Sequence, residues 1–250
     1  MTINAPEMQD IPALRNLWKE AFEDTDAFLD LFFEKGFSFD RCRLLKTENT
    51  VAALYWFDCR WKNKKVAYLY AIATKKAFQG QGLCRALMAD THKHLQALGY
   101  AGAALVPANE GLFSLYKKLG YESFCPMDTV TIKAEETKIS LCPIDAATYG
   151  KLRKELLPDD AIIQEGATLN FLEGFGSFYR MDSGIACLSK EDETLYIQEY
   201  LADPKEIPAL TYCLKAKKAQ VRLAGKTASA MYLPLDNSQE LPSYLGISLN

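Results

Sequence analysis

Residues 41–74 hold three strand-like segments in direct succession, and this arrangement limits the folds open to the chain. The segments are RCRLLKT (41–47), TVAALYWFDCRW (50–61) and VAYLYAIAT (66–74), and only Glu48-Asn49 and KNKK (62–65) separate them. Connections this short join antiparallel neighbours, because a parallel crossover needs a dozen or more residues. The sequence therefore predicts an antiparallel meander as the centre of the first half.

Helical periodicity surrounds this meander. Before it, Asp10 is placed to cap a helix that runs to about Phe22, and a second helical stretch covers roughly residues 26–35. The elements predicted after it are a helix at 83–98, a strand at 100–106, a helix at 110–120 and a strand at 121–133. We expect six aromatic side chains of this half to lie mostly in the core: Trp18, Phe22, Phe28, Phe32, Tyr55 and Trp56.

The second half repeats this order. After the polar break AEETK (134–138), it shows a second meander over 176–201, and then a helix that opens with the capping-box residues Asp203 and Glu206. Closing strands are predicted at 220–225 and 228–235. The chain is therefore predicted to be an α/β (α+β) protein of tandem units, each a mixed, mostly antiparallel twisted sheet flanked by helices. We place the two domains at 1–135 and 136–250.

Composition excludes several classes of function. The chain is 49% hydrophobic and 24% charged, as in an ordinary soluble globular protein, and its net charge of −3 argues against a nucleic-acid surface. No apolar run approaches the ~18 residues of a membrane span. The start, MTINAPEMQD, has no basic region or apolar core of a secretory signal. We therefore expect a cytoplasmic protein without a membrane or nucleic-acid partner.

The cysteines and histidines do not indicate a metal site. The seven cysteines are scattered and never spaced CxxC, so we expect reduced thiols. The two histidines, His92 and His94, lie two residues apart on a predicted helix and point to different faces. No metal cofactor is expected.

The stretch AFQGQGLCRAL (77–87) places two glycines one residue apart just before a helix. Such glycines serve a close approach to the backbone or a positive φ. A dinucleotide site needs a third glycine where Arg85 stands, and the run typical of nucleotide-triphosphate loops is absent. A phosphate site and a plain turn remain open. For a phosphate site, the helix start would offer backbone N–H groups, and Lys75, Lys76 and Arg85 would add positive charge.

Two motifs resemble a known family. IATKKAFQGQGLCRAL is similar to the acyl-coenzyme A signature of the GNAT acetyltransferase superfamily: Gln79 and Gly82 match, while Cys84 replaces the usual glycine or alanine. NEGLFSLYKKLGYE (109–122) resembles the family's second motif, with Gly111 one place early for its small residue. The two motifs stand in the family's order within residues 1–133.

The resemblance implies an acetyl-coenzyme A-dependent N-acetyltransferase that acts on a primary amine of a small molecule, peptide or protein. Acetyl-coenzyme A would be the co-substrate. The resemblance implies that the fourth and fifth strands splay apart around the pantetheine arm, that Asn109 holds the end of this arm, and that Tyr116 protonates the departing thiolate. The implied coenzyme-binding residues also include Ile72, Ala73, Thr74, Gln79, Gly80, Gln81, Gly82, Leu83, Cys84 and Arg85.

Three questions stay open at this point. The positions where some relatives carry a basic glutamate hold Tyr70 and Ala104, so the base could be an ordered water, Glu23, Asp24 or the terminal carboxylate at Asn250. Residues 200–210 hold no glycine, which indicates a degenerate GNAT-like second domain without a phosphate loop, shaping the acceptor site or a homo-oligomer contact. The alternative function is a non-catalytic acyl-coenzyme A-binding regulatory module.

Overall fold

A computed structural model describes residues 1–236 and 238–249. The α-helices are α1 (Ile11–Phe22), α2 (Asp26–Leu31), α3 (Leu83–Ala97), α4 (Glu110–Lys117), α5 (Ala146–Leu156), α6 (Ala167–Glu173) and α7 (Ile207–Cys213). The strands are β1 (Thr2–Asn4), β2 (Cys42–Lys46), β3 (Thr50–Trp61), β4 (Lys64–Thr74), β5 (Tyr100–Leu105), β6 (Glu122–Phe124), β7 (Met127–Lys133), β8 (Leu141–Ile144), β9 (Ile163–Gln164), β10 (Ser177–Met181), β11 (Gly184–Glu191), β12 (Thr194–Leu201), β13 (Lys218–Ala224) and β14 (Ala230–Pro234).

The chain divides into two compact units, and neither is continuous in sequence. Unit 1 combines Met1–Glu122 with Met231–Leu241, and unit 2 combines Ser123–Ala230 with the segment from Pro242 onward. The division thus falls after residue 122, whereas the sequence pattern placed it at 135/136. The reason is that β7, which precedes the polar break, pairs along its whole length with β13, from Met127↔Ala224 to Lys133↔Lys218.

The two sheets repeat one plan. The first sheet has the strand order β1-β2-β3-β4-β5-β14-β6, and the second has the order β8-β10-β11-β12-β13-β7. Each holds an antiparallel three-stranded meander (β2–β4 or β10–β12) followed by one parallel pair, β4 with β5 or β12 with β13. A helix, α3 or α7, forms the crossover in each case. This confirms the predicted class of tandem α/β units with mixed, mostly antiparallel sheets.

One strand of each sheet comes from the other half of the sequence. β14 pairs antiparallel with β5, from Met231↔Leu105 to Pro234↔Gly102, and β7 occupies the same place beside β13. The strand predicted over 121–133 is therefore broken into β6 and β7. The break lies at Cys125, whose φ is +50°, and at Pro126.

The core of unit 1 lies on both faces of its sheet. On one face α3 packs Leu87, Met88 and Leu95 against residues of β3, β4 and β5. On the other, Trp18 and Phe32 are buried against Tyr55, with ring centroids 4.5–5.3 Å from that of Trp18. Of the six aromatic side chains predicted as core, Trp18, Phe32, Tyr55 and Trp56 are buried, Phe28 is half-buried and Phe22 is exposed.

Two predicted helix caps form differently in the structure. The carboxylate of Asp10 does not cap α1; it accepts the Glu7 N–H at 2.9 Å and so closes the 3-10 turn that precedes the helix. Asp203 caps the turn before α7, as expected, by accepting the Lys205 N–H at 3.0 Å. Glu206, however, accepts the Ser183 hydroxyl at 2.5 Å, and that hydroxyl accepts the Asp203 N–H at 3.3 Å. Ser183 thus stands between the two ends of the predicted capping box.

A fully buried ion pair lies within unit 2. Arg153 of α5 donates to both carboxylate oxygens of Glu199 on β12, with Nε–Oε2 at 2.6 Å and Nη2–Oε1 at 2.9 Å. The Tyr149 hydroxyl donates to the same carboxylate at 2.7 Å, and the Tyr244 hydroxyl at 3.2 Å. Arg153 also donates to the Gln164 carbonyl at 3.1 Å. Two ions without solvent are stable only with hydrogen bonds of this completeness.

Removing one partner of this pair should therefore destabilise the protein strongly. We expect Arg153→Met to lower the free energy of unfolding by about 3–5 kcal/mol, because it leaves the Glu199 carboxylate buried and unpaired. The measurement is denaturant unfolding followed by circular dichroism. Lys154→Met is the matched control: it removes the next residue's ion pair with Glu165, in which the Lys154 side chain is 49% exposed, and should cost at most about 1 kcal/mol. Equal losses in the two variants would contradict the prediction.

Candidate functional site

β4 of unit 1 continues past the end of its parallel pairing with β5. β4 pairs with β5 from Lys65↔Tyr100 to Tyr68↔Ala104, whereas β4 itself continues to Thr74. Within the described residues, 69–74 have no partner in β5, although on their other edge Ala73 and Thr74 pair with β3. The peptide groups of β4 that face β5 in this stretch are therefore free to bind an extended ligand.

A β-bulge lies in the part of β4 that runs past its pairing with β5. Tyr55 pairs with Tyr70 and Ala53 pairs with Ala73, so Leu54 alone stands opposite both Ala71 and Ile72. Ala71 has φ +47°, a left-handed conformation that a non-glycine residue adopts at a cost of about 1–3 kcal/mol. Bulges of this kind redirect the backbone and often lie beside active sites. The sequence carried no signal for Ala71.

The structure places the three predicted β4 residues just beyond this bulge. Ile72 and Thr74 are half-buried and Ala73 is buried. The carbonyl of Thr74 already accepts the side-chain amide of Gln79 at 3.1 Å. That contact uses a carbonyl group, so it takes up none of the N–H groups of this segment.

The glycine pair is required by the backbone conformation. Gly80 and Gly82 have φ of +75° and +79°, and a Cβ at either position would meet nothing within 4 Å. Their role is therefore a left-handed turn, not close packing against another part of the protein. Gly82 is the N-cap of α3 and brings the chain into the helix without a side-chain cap.

The start of α3 presents free N–H groups. The first hydrogen bond back to the cap is from the Ala86 N–H to the Gly82 carbonyl at 3.0 Å. Among the described residues, no acceptor pairs with the N–H groups of residues 80–85. Gln81, Gly82 and Arg85 are exposed, while Leu83 and Cys84 are half-buried against the core. This group of amides, together with the helix dipole, forms an anion-binding surface.

Positive charge surrounds this surface and the loop before it is held in place. Lys75, Lys76 and Arg85 form no ion pair with any described residue. The Lys75 N–H donates to the Val51 carbonyl at 2.9 Å, and the Lys76 N–H donates to Glu20 Oε1 of α1 at 2.7 Å. The loop is thus fixed by its backbone, which leaves the three cationic side chains available to a ligand.

Tyr116 lies in α4 with its ring buried at 5% exposure. Its hydroxyl forms no hydrogen bond with the described residues and is not among the side-chain atoms sealed from solvent without a partner. Burial raises the pKa of the Tyr116 hydroxyl, and the Cys84 thiol nearby adds to the effect. The group therefore holds its proton at neutral pH. Burial also raises the pKa of Cys84, which stays a neutral thiol.

Asn109 is the N-cap of the same helix. Its side-chain Oδ1 accepts the Leu112 N–H at 3.1 Å, and the residue is exposed. The carboxamide oxygen is thus used locally, and only the NH₂ group can donate to a ligand. Tyr116 follows seven positions later, two helical turns along α4.

The two histidines contact aromatic residues. His92 Nε2 lies 2.8 Å from the Tyr121 hydroxyl, and burial lowers the pKa of His92 to about 4, so the ring is neutral. His94 packs against Trp56 with ring centroids 6.2 Å apart. The part of the chain described by the structure holds no group of three or more metal-ligating side chains. Nor does it contain a helix with the length and apolar character needed to cross a membrane.

One carboxylate is fixed beside the bulge. Asp24, half-buried after the end of α1, accepts the indole N–H of Trp18 at 2.7 Å. Burial raises the pKa of the Tyr70 hydroxyl, and Tyr68 and Asp24 raise it further. Asp24 therefore lies within electrostatic reach of the residue that immediately precedes the bulge.

The other candidate bases are placed less favourably. Glu23 is exposed at the left-handed C-cap of α1 and no side-chain hydrogen bond fixes it among the described residues. Ala104 is buried in β5. The terminal carboxylate at Asn250 lies outside the described residues.

In unit 2, β12 also continues past its pairing with β13, but side chains occupy the space beyond that pairing. β12 and β13 pair up to Ile197↔Val221, and a bulge follows between Cys187 and Leu188 of the neighbouring strand. The buried Glu199 carboxylate stands next, and a Cβ on Gly246 would lie only 1.9 Å from it. No glycine precedes α7, whose start is occupied by Asp203. The features that make the unit 1 gap accessible are thus replaced by side chains.

A profile of the family described as "Acetyltransferase (GNAT) domain" matches residues 2–124. Residues 2–124 belong to the GNAT acetyltransferase family. The GNAT fold supports acyl-coenzyme A-dependent acetyl transfer in general. A search of curated proteins returned no match.

Solved structures of similar fold extend the likeness beyond the GNAT domain. A GCN5-related N-acetyltransferase from Anabaena variabilis superimposes with a TM-score of 0.74 at 13% identity, covering 94% of this chain and 73% of that one. A GCN5-related N-acetyltransferase from Kribbella flavida has a TM-score of 0.69 at 13% identity, covering 92% of this chain and 70% of that one. A GCN5-related N-acetyltransferase from Sphaerobacter thermophilus has a TM-score of 0.58 at 11% identity, covering 97% of this chain and 98% of that one. At this identity the likeness shows the fold alone, and it includes both units.

Proposed function

We propose that this protein is an acetyl-coenzyme A-dependent N-acetyltransferase that acts on a primary amine of a small molecule, peptide or protein. One observation carries the proposal: β4 runs past the end of its pairing with β5, bulges at Ala71, and leads directly along the chain to free N–H groups at the start of α3. A ligand with an extended amide arm and a pyrophosphate matches this combination. Acetyl-coenzyme A is such a ligand.

The coenzyme is held mainly by backbone in this proposal. The pyrophosphate binds the N–H groups from Gln81 to Arg85, with Lys75 and Lys76 nearby, because helix N-termini favour anions. Gln79, Gly80, Gly82, Leu83 and Cys84 form the rest of this loop. The pantetheine arm lies along Ile72, Ala73 and Thr74, and the NH₂ group of Asn109 donates to the end of the arm. We propose that 1–135 carries this site and that 136–250 carries no coenzyme site.

The chemical step needs three groups. The amine nitrogen attacks the thioester carbon, and the carbonyl electron pair moves onto oxygen, where a β4 N–H stabilises it. The carbon–sulfur bond then breaks as the carbonyl re-forms, and Tyr116 gives its proton to the departing thiolate. The nitrogen loses a proton to a base. The raised pKa makes Tyr116 a weaker acid than an exposed tyrosine, and weak assistance suffices because thiolate is a stable leaving group, with a thiol pKa of about 8.5.

We propose Asp24 as the carboxylate that faces the incoming ammonium. Trp18 fixes its orientation, and the half-buried ring of Tyr70, with its centroid 5.6 Å from that of Trp18, supplies a face that attracts a cation. An ordered water next to Asp24 could relay the proton. Glu23 has neither the hydrogen bond nor the aromatic surroundings.

The alternative is a non-catalytic acyl-coenzyme A-binding module, and turnover separates the two. We would incubate the full chain with acetyl-coenzyme A and a panel of amines, measure free thiol, and identify acetylated amines by mass spectrometry. Thiol release that depends on an amine supports the enzyme. Binding without release supports the module. Isothermal titration in the same experiment should give one coenzyme A per chain, whereas two would contradict the assignment of the site to unit 1.

Gly82→Glu should weaken coenzyme A binding by tenfold or more. The change places a negative charge at the anion surface, and a charge-assisted contact to phosphate is worth about 1.5–3 kcal/mol. Gly99→Glu is the matched control, since Gly99 ends the same helix with a similar φ of +78° and also has open space around its Cβ. Both variants bear the same backbone strain, so calorimetry should show equal losses of stability but weaker coenzyme binding in Gly82→Glu alone. Unchanged affinity in Gly82→Glu would refute this placement of the pyrophosphate.

Asp24→Asn should lower kcat/KM for the acceptor amine by about tenfold or more, with coenzyme A affinity unchanged. The substitution keeps an oxygen for the Trp18 N–H but removes the charge, and a hydrogen bond to a charged group contributes about 1.5–3 kcal/mol. Glu23→Gln changes charge equally at the neighbouring position and should leave kcat/KM nearly unaltered. If Glu23→Gln has the larger effect, Asp24 is not the acceptor carboxylate.

Tyr116→Phe should lower turnover by about a hundredfold, the lower end of general acid catalysis. Coenzyme A affinity should stay within about a factor of three, because the variant keeps the ring and its packing. Tyr121→Phe is the control, since Tyr121 is the neighbouring buried tyrosine whose hydroxyl meets His92 instead of solvent. Full turnover in Tyr116→Phe would show that the residue only packs. Equal losses of binding and turnover would make it a positioning residue.

A further inference from the structure

Partly exposed aromatic rings surround one buried indole beside the turn between α1 and α2. Trp18 is 2% exposed, and three ring centroids lie close to its own: Phe22 at 5.5 Å, Phe28 at 6.5 Å and Tyr70 at 5.6 Å. Phe22 is 41% exposed, and Phe28 and Tyr70 are half-buried. These three rings, which we call the aromatic corner, therefore keep surface that a ligand can contact.

Asp24 supplies a carboxylate to the aromatic corner. It lies between Phe22 and Phe28 in the sequence and is half-buried. Its Oδ2 accepts the Trp18 indole N–H at 2.7 Å. Its Oδ1 has no hydrogen-bond partner among the described residues, and no cation of that part of the chain pairs with this carboxylate. A fixed carboxylate with one oxygen open to a donor thus stands among the rings.

The acidic side chains of α1 and α2 are already paired. Their contacts are Asp26 with Lys19 at 2.5 Å, Asp30 with Arg15 at 2.7 Å, and Glu20 with the Lys76 N–H at 2.7 Å. Glu23, next to Asp24, is exposed, and salt and water screen a charge in such a position. A ligand with two ammonium groups would therefore find a fixed and unpaired carboxylate for only one of them.

These features define the chemistry of the ligand. A carboxylate oxygen forms a strong, charge-assisted hydrogen bond with an ammonium group. Aromatic faces attract the same cation. The exposed ring of Phe22 loses contact with water when an apolar group covers it, which is favourable. The matching ligand thus carries one ammonium group on an apolar body.

Tyr70 connects the aromatic corner with the acyl-transfer site. It immediately precedes Ala71, where β4 bulges, and its ring packs against Trp18 on the α1 side of the sheet. The β4 residues proposed to hold the pantetheine arm, 72–74, follow directly. The aromatic corner therefore adjoins the proposed position of the thioester along the chain.

We propose that the acceptor is a monoamine with an apolar body, of the arylalkylamine class, bound by Asp24 and the aromatic corner. This inference rests on the proposed function, since it names the substrate class of the same site. The ammonium group donates to Asp24 Oδ1 before it loses the proton that frees the nitrogen for attack. The apolar body lies against Phe22 and Phe28. A diamine is disfavoured by its second charge, and an amino acid by a carboxylate beside that of Asp24.

The test is calorimetry on the full chain saturated with coenzyme A, so that no acetyl transfer takes place. The probes are 2-phenylethylamine, 1,4-diaminobutane, which replaces the ring by a second ammonium group, and L-phenylalanine, which adds a carboxylate. We expect 2-phenylethylamine to bind about tenfold or more tightly than either of the others. No binding of 2-phenylethylamine, or equal or tighter binding of another probe, would overturn the proposal.

Thiol release from acetyl-coenzyme A, measured with the same amines, separates this inference from the proposed function. If 2-phenylethylamine is preferred in calorimetry but releases no thiol, the acetyl transfer is refuted and the ligand class stands. If thiol is released with a higher kcat/KM for 1,4-diaminobutane, the transfer stands and the arylalkylamine class is refuted.

Variants of Phe22 locate the apolar contact. Phe22→Ala should weaken 2-phenylethylamine by about fivefold or more because the covering ring is lost, whereas Phe22→Leu should stay within about twofold. Binding of 1,4-diaminobutane should not change in Phe22→Ala, although a merely structural role would alter both amines. Phe175→Ala is the control, since Phe175 is 36% exposed in unit 2. Equal affinities in Phe22→Ala and Phe175→Ala would overturn the proposal. If Phe22→Ala fails to fold, Phe22→Gln decides by the same comparison.

Discussion

The stretch of β4 that runs past its pairing with β5 is the feature on which the proposed site depends. The two strands are parallel because α3 connects them, so the start of α3 lies directly beyond the end of β4. The pairing of β4 with β5 ends at Tyr68, the bulge at Ala71 follows, and the two left-handed glycines then turn the chain into the helix. Free strand amides and free helix amides therefore follow one another along a single path. Tyr116, the proposed acid, must reach these amides from its position on α4.

Unit 2 has the same topology as unit 1, but side chains occupy the position that corresponds to the unpaired stretch of β4. It repeats the meander, the parallel pair and the crossover helix of unit 1, but a carboxylate, Glu199, stands beside its bulge. Arg153, Tyr149 and Tyr244 satisfy that charge, and the backbone at Gly246 lies against it. An ion pair this buried contributes little net stability over apolar packing, but it is costly to break. It ties α5, β12 and the C-terminal segment of this unit together.

Because β14 pairs with β5 and β7 pairs with β13, each sheet depends on a distant part of the sequence. β5 is buried over all its residues and takes β14 as its neighbour, while β13 takes β7. A fragment that ends at residue 135 would therefore lack β14 and leave the edge of β5 unpaired. Unpaired, apolar edges promote aggregation. The boundary suggested by the polar break at 134–138 was reasonable in composition, but hydrogen bonding assigned the preceding strand to unit 2.

The sequence by itself determined the local elements and the order of the two units. Strand-like runs bounded by turn residues predicted β3 at 50–61 and β12 at 194–201 to the residue, and the glycine spacing located the loop before α3, because these signals depend on neighbours in sequence. Only the tertiary structure decided the left-handed bulge at Ala71, the fixed carboxylate of Asp24, and the pairing of β7 and β14 with strands from distant parts of the sequence. Each of these arises from groups far apart in the chain, and periodicity carries no information about which distant strand will supply a hydrogen bond or a charge.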